Sequence, residues 1–222
     1  MFQHLTQKAY LERWKTNGKI HIFSKRENKW TKPKDSAKRI LGLEDMQTQA
    51  METAFANIET CIGHTNDDGL IGSDEKANIL ATWIALHGLW NARNADILKN
   101  CDYKKDVEEL AHLLRQHYAF FLNTPEDTLI TCDNPITKLI YEDAGSCKQL
   151  YFAPLSPRRA AIIIQDDKVP VVSPPKWNEA TFNNATDICV SWDSDLHFNS
   201  TAPLFSLWPQ DTQPDHSVKP LL

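Results

Sequence analysis

Residues Ala160-Ala161-Ile162-Ile163-Ile164 are apolar at every position. A half-exposed strand alternates apolar and polar side chains, and an amphipathic helix repeats every three to four residues. A short run with no polar side therefore reads as a central strand covered on both faces. Such a strand obliges the rest of the chain to supply apolar layers above and below it. Leu129 to Cys132 and Gln149 to Phe152 are the neighbouring strand-like runs. Near the N-terminus, Asn17-Gly18 is a strong short-range hairpin signal. It precedes the β-rich Lys19-Ile20-His21-Ile22-Phe23, and a second turn at Arg26-Glu27-Asn28 leads to Lys29-Trp30-Thr31, with Pro33 closing the element.

The period changes from about Met46. Met51, Phe55, Ile58 and Ile62 recur at helical spacing, with Gly63 at a helix end. After the loop Asn66-Asp67-Asp68-Gly69, Ser73 is placed to cap a second helix with Asp74 and Glu75 in its first turn and Ile79, Trp83, Leu86 and Trp90 on one face. A third helix after Asp106 aligns Val107, Leu110, Leu114, Tyr118 and Phe121 and stops near Asn123-Thr124-Pro125. A short final helix is predicted across Trp177 to Cys189, with Phe182 and Ala185 inward. The expected fold is α+β: an N-terminal β-hairpin element and a later strand group packed on three central helices. Residues 1–200 form a single domain, and 201–222 form an extended Pro-rich tail.

Only 7 glycines occur in 222 residues, and no glycine-rich phosphate loop, Gly-x-Ser-x-Gly elbow, His-Glu-x-x-His or calcium loop is present. This argues against the common nucleotide-binding architectures, and no motif demands a metal or other cofactor. Cys61, Cys101, Cys132, Cys147 and Cys189 are scattered and odd in number, which reads as free thiols. The chain opens without a signal-peptide pattern and has no apolar run of membrane-spanning length, so a cytoplasmic location and no membrane partner are expected. The glycosylation-type tripeptides at Asn184 and Asn199 then have no consequence.

The net charge of −5 hides an asymmetry. Residues 1–39 hold 11 Lys or Arg against 3 Asp or Glu, which gives +8 there and −13 in the remainder. A basic end punctuated by Trp14 and Trp30 suits a phosphate backbone, so nucleic acid is a candidate partner through residues 1–39. The same lysines also serve to solvate strands and blunt a sheet edge, and the acidic remainder weakens nonspecific attraction to nucleic acid.

Leu129-Ile130-Thr131-Cys132-Asp133-Asn134-Pro135 is an apolar run halted by Asp-Asn-Pro, a pattern that delivers two polar side chains to one sharp turn. With Arg158 they could gather a carboxylate, an amide and a guanidinium at strand ends, where Arg forks onto an oxyanion. The structural alternative is a turn in which Asp133 caps backbone amides and pairs with Arg158. His112 and His117, five apart, have the wrong spacing for two ligands on one helix face, and His117 and His87 read as packed core histidines. Glu52 and Glu59 flank an apolar helical stripe and read as a solvated border, and Cys132 as a buried strand cysteine.

His4, Tyr10, Leu11 and Trp14 match in register the opening His-Tyr-Val-Pro-x-x-Tyr-Leu-x-x-Phe of a bacterial family of unknown function that is also widespread in phages. Gly18 to Ile22, Met51-Glu52 through Ile58-Glu59, Thr131 to Pro135, Pro154 to Arg158 and Trp177-Asn178 through Val190-Ser191 resemble later segments of that family in the same order. The chain departs from it at Thr6-Gln7, where the family has Val-Pro, and at Trp90-Asn91-Ala92, where it often has Arg-Thr-Pro. The resemblance implies an ordered domain without an established reaction.

The leading expectation is a cytosolic binding or regulatory module with a polar pocket lined by His4, Asp133, Asn134 and Arg158, taking a small phosphorylated or nucleotide-like ligand. A setting in phage–bacterium conflict would suggest a signalling nucleotide. The alternative is a metal-assisted phosphodiesterase or nuclease, with His4 as acid–base, Glu52, Glu59 or Asp133 as carboxylates, and the basic first 39 residues docking the backbone.

Overall fold

A computed structural model of the chain describes residues 2–4, 8–34, 42–44, 74–89, 103–143, 146–165, 172–194 and 219–220. The elements run β1 (Phe2–His4), α1 (Lys8–Glu12), β2 (His21–Ser24), β3 (Lys29–Trp30), β4 (Gly42–Glu44), α2 (Asp74–Leu89), α3 (Tyr103–Leu114), β5 (Tyr118–Asn123), β6 (Thr131–Cys132), β7 (Thr137–Asp143), β8 (Ser146–Ser156), β9 (Arg159–Ile164), α4 (Pro174–Asn184), β10 (Ile188–Ser191) and β11 (Lys219–Pro220). This is an α+β fold, and among the described residues every strand pairing is antiparallel.

Five strands form the largest sheet, in the order β11-β5-β9-β8-β7. The apolar run expected to be central lies in β9, which is in the middle of that order and buried along its whole length. β8 is longer than the sequence suggests: Ser146 to Phe152 pair with β7, and pairing with β9 continues through Pro154 to Ser156. The register shifts between Pro154 and Ser156, beyond the last residue paired with β7, so the missing proline N–H interrupts no ladder on that side. β7 escaped the sequence reading: Lys138 and Ile140 are exposed while Thr137 and Leu139 are buried, and the exposed Ile140 blurs the polar alternation that marks a strand.

A second sheet has the order β3-β2-β10-β6. Asn17 and Gly18 both have positive φ, 52° and 74°, as a two-residue hairpin turn of the primed type requires, and Thr16 and Lys19 exchange backbone hydrogen bonds across them. Pro33 does not close the element, since Lys34 and Ile20 exchange two further backbone bonds beyond it. β1 and β4 make a separate two-stranded pair.

The helices also depart from expectation. α2 is buried on more than the one stripe: Leu80, Ala81, Trp83, Ile84, Ala85, Leu86 and His87 are all inside. A helix apolar nearly all round is one that lies within the core. α3 ends at Leu114 rather than near Asn123. Tyr118 and Phe121 continue its helical spacing in sequence, yet they belong to β5, where the aromatic, β-favouring run pairs with β9. α4 stops at Asn184, so Cys189 lies in a strand. Phe182 and Ala185 are buried as predicted. The helix expected over Met51 to Ile62, Trp90 and all of the tail but Lys219–Pro220 lie outside the described residues.

One apolar cluster joins these layers, running from Tyr10, Leu11 and Trp14 through α2 and α3 to β8, β9 and Trp177. Trp177 stacks on Phe152 with ring centroids 4.3 Å apart, which fixes α4 to the five-stranded sheet. Tyr10 links both sheets. Its hydroxyl donates to the Pro154 carbonyl of β8 at 2.7 Å and shares a 2.6 Å hydrogen bond with Thr131 Oγ1 of β6. Among the described residues, no helix is long and apolar enough to cross a membrane.

Candidate functional site

β6 carries the chain from the buried Leu129 and Ile130 to the Asp133 turn, and the turn is held from the far end of the sequence. The Asp133 main-chain N–H donates to the Ile188 carbonyl at 3.0 Å. Its carboxylate then accepts three successive amides: Thr186 N–H at Oδ1 (2.8 Å), and Asp187 and Ile188 N–H at Oδ2 (2.8 and 3.1 Å). The side chain thus takes the place of a backbone acceptor where the β6–β10 ladder runs out. Asp133 is 4% exposed, so these bonds replace most of the water its charge gives up.

Asn134 is engaged in the same way. Its Nδ2 donates to the Asn184 carbonyl (2.8 Å) and Thr186 Oγ1 (3.0 Å), while Asn184 Nδ2 donates back to the carbonyls of Asn134 (2.7 Å) and Ile136 (3.1 Å). Six residues earlier on α4, Asn178 accepts the Ile130 N–H at 3.1 Å and donates to the Thr128 carbonyl at 2.6 Å. Two helix amides therefore read the backbone of residues 128–136. Asn184 heads one of the glycosylation-type tripeptides, and its amide nitrogen is occupied by these two carbonyls.

On the other side of this loop, Lys25 Nζ donates to the Phe182 and Ala185 carbonyls at 2.9 and 2.8 Å and lies 4.9 Å from the Phe182 ring centre. It satisfies the Ala185 carbonyl just beyond α4, gives the Phe182 carbonyl a second donor beside the Ala185 N–H, and places a cation at the negative end of the helix. Asp187 accepts from Ser24 Oγ (2.9 Å) and the Arg26 N–H (3.0 Å) and forms an ion pair with the Arg26 guanidinium (3.4 Å). Partial burial opposes its ionisation, but the Arg26 amide, the Ser24 hydroxyl and the charges of Arg26 and Lys25 outweigh this and hold its carboxyl below the usual range.

Arg158 points elsewhere. It lies in the β8–β9 turn with its side chain 61% exposed, and its Nε donates to Asp127 Oδ1 at 2.7 Å. That hydrogen bond and the Asp127 charge raise its pKa further. The partner expected in the structural alternative was Asp133; the acid it meets is Asp127. His4 is on β1, opposite Gly42 of β4, and its side chain lies outside the described residues, as do Glu52 and Glu59. Of the four sequence-derived pocket residues, the structure therefore brings together Asp133 and Asn134, and it does so around the 184–188 loop.

His117 is buried in the turn after α3, not on a helix, and its Nδ1 lies 2.9 Å from the Leu113 carbonyl, which can only accept. Burial lowers its pKa against that hydrogen bond. His112 is exposed beside Arg115 and Gln116. Cys132 is fully buried and donates to the Asn134 carbonyl at 3.0 Å; burial first, then Cys189 and the Asp133 charge, push its thiol well up. Cys189 is pushed up chiefly by burial as well. Among the described residues, no group of three or more His, Cys, Asp or Glu is placed to hold a metal ion.

No local pattern in the sequence marks Asn178, Asn184, Thr186 and Asp187 as partners of the turn, or Lys25 as a partner of the end of α4. Three asparagines on one short helix, Asn178, Asn183 and Asn184, are the available signal, since Asn is a poor helix former without a bond to make. No protein-family model, curated protein or solved structure matches the chain.

Proposed function

We propose that this chain is a binding module for a phosphate-bearing, nucleotide-like ligand, held on the exposed basic face of the N-terminal hairpin. The observation that carries the reading is the division of labour among the basic residues of residues 13–34. Lys25 is engaged with α4, whereas Lys32 and Lys34 are exposed on a hairpin whose hydrophobic side is in the core. Arg26 and Lys29 are exposed beside them, each with one acidic neighbour, Asp187 and Glu27. Trp14 is fully buried and Trp30 packs edge-on against Phe23, with centroids 5.5 Å apart. These two aromatics serve as the hairpin's footing, and recognition by this face is electrostatic.

The Asp133 turn supports the same reading from the other direction. A carboxylate already accepting three amides has few lone pairs left for a ligand, so its contribution is to fix the β6–β10 edge. The test is fluorescence polarisation with a labelled single-stranded oligonucleotide and a labelled cyclic dinucleotide, at low and high salt, with and without magnesium or manganese. Binding should weaken with salt and fall about tenfold or more in the Lys32→Glu/Lys34→Glu variant, since each phosphate contact releases a counterion. Affinity unchanged by salt and by the double variant would refute this placement of the ligand. Metal-dependent cleavage of either probe would favour the phosphodiesterase alternative.

A further inference from the structure

Cys132 of β6 and Cys189 of β10 stand directly opposite each other in an antiparallel ladder. Because the Asp133 N–H donates to the Ile188 carbonyl, Asp133 and Ile188 are the hydrogen-bonded pair, and the two cysteines occupy the adjacent non-hydrogen-bonded position. At such positions opposed Cα atoms approach to about 4.5 Å and the side chains leave the same face, a separation that a disulfide can span. Both thiols are free and buried, in a small apolar cluster with Phe23, Ile130, Phe182 and Ala185. β6 is only two residues long and is the edge strand of its sheet as described.

We propose that Cys132 and Cys189 are a redox-sensitive dithiol that a small-molecule disulfide oxidises to a cross-strand bridge, clamping β6 onto β10. Fraying of β6 exposes Cys132 first. Its thiolate attacks one sulfur of the oxidant, whose S–S bond breaks, and the departing half takes up the proton that Cys132 lost. The Cys189 thiolate then attacks Cys132 Sγ, the mixed disulfide breaks, and the second half leaves with the Cys189 proton. Two cysteine thiols are oxidised and one external disulfide is reduced to two thiols. Burial disfavours the thiolates in the closed sheet, so the rate is set by how often β6 opens. The product would hold the Asp133 turn in place covalently.

The full chain is incubated in native buffer with oxidised glutathione, remaining thiols are alkylated, and the digest is mapped by mass spectrometry. The expected result is a peptide pair joined through Cys132 and Cys189, loss of two titratable thiols, and a rise in Tm on the order of 10 °C that reductant reverses. A chain with Cys61, Cys101 and Cys147 all changed to Ser should form the same bridge. Cys132→Ala should not, and Cys189→Ala serves as the matching variant if Cys132→Ala folds poorly. A bridge that forms only in urea, that joins another cysteine instead, or that lowers Tm would overturn the proposal.

Discussion

At the scale of single residues, Asp133 shows how little a side chain's identity says without its partners. Asp-Asn-Pro was legible as a turn because those residues bring turn chemistry with them. That both carboxylate oxygens serve amides of residues 186–188 was not legible, because the partners lie more than fifty positions away. The distinction bears on mutation. Asparagine keeps the shape but has a single acceptor oxygen, and its NH2 would face an amide donor at Oδ1 or Oδ2. Asp133→Asn is therefore expected to cost about 2–3 kcal/mol, as for a buried charge-assisted bond replaced by an unsatisfied donor, rather than being nearly silent. Urea unfolding of the two proteins at pH 7 measures this directly; a difference below about 0.5 kcal/mol, the usual size of a surface effect, would show that the three amides do not depend on the charge.

At the scale of elements, the sequence was most informative where one physical signal acted alone. The Asn17-Gly18 turn and the β9 run are such cases. It misled where two patterns coincide: the residues after Leu114 fit both a helical repeat and a β-favouring aromatic strand, and pairing with β9 selects the strand. The end of α4 is another element-level feature with no local signature, since its capping cation comes from the hairpin after β2. Removing that cation while keeping the aliphatic stem isolates its contribution. Lys25→Met should destabilise the protein by about 1–2 kcal/mol through two lost carbonyl bonds and the helix-end charge. Hydrogen exchange of the Ala185 amide, which donates to Thr181 and Phe182, should quicken more than that of β9 amides. Equal quickening at both places would show that Lys25 stabilises the whole fold rather than the end of α4.

At the scale of the whole molecule, the α+β class could be read from the sequence, but the division of strands between the four-stranded and five-stranded sheets could not, because it depends on pairings between distant segments. Tyr10 and Trp177 tie those sheets into one core. Tryptophan fluorescence and far-ultraviolet circular dichroism should therefore report the same denaturation midpoint in urea. Two separated midpoints would mean that the sheets unfold independently. The pairing of β2 with β10 also has a bearing on biosynthesis. The hairpin of β2 and β3 leaves the ribosome before the strand that covers its inner flank, which is encoded more than 160 residues later. Until Cys189 and Val190 are made, Ile22 and Phe23 have the β3 side of their strand but lack the β10 side, and the exposed lysines around them disfavour pairing of that open edge with another chain.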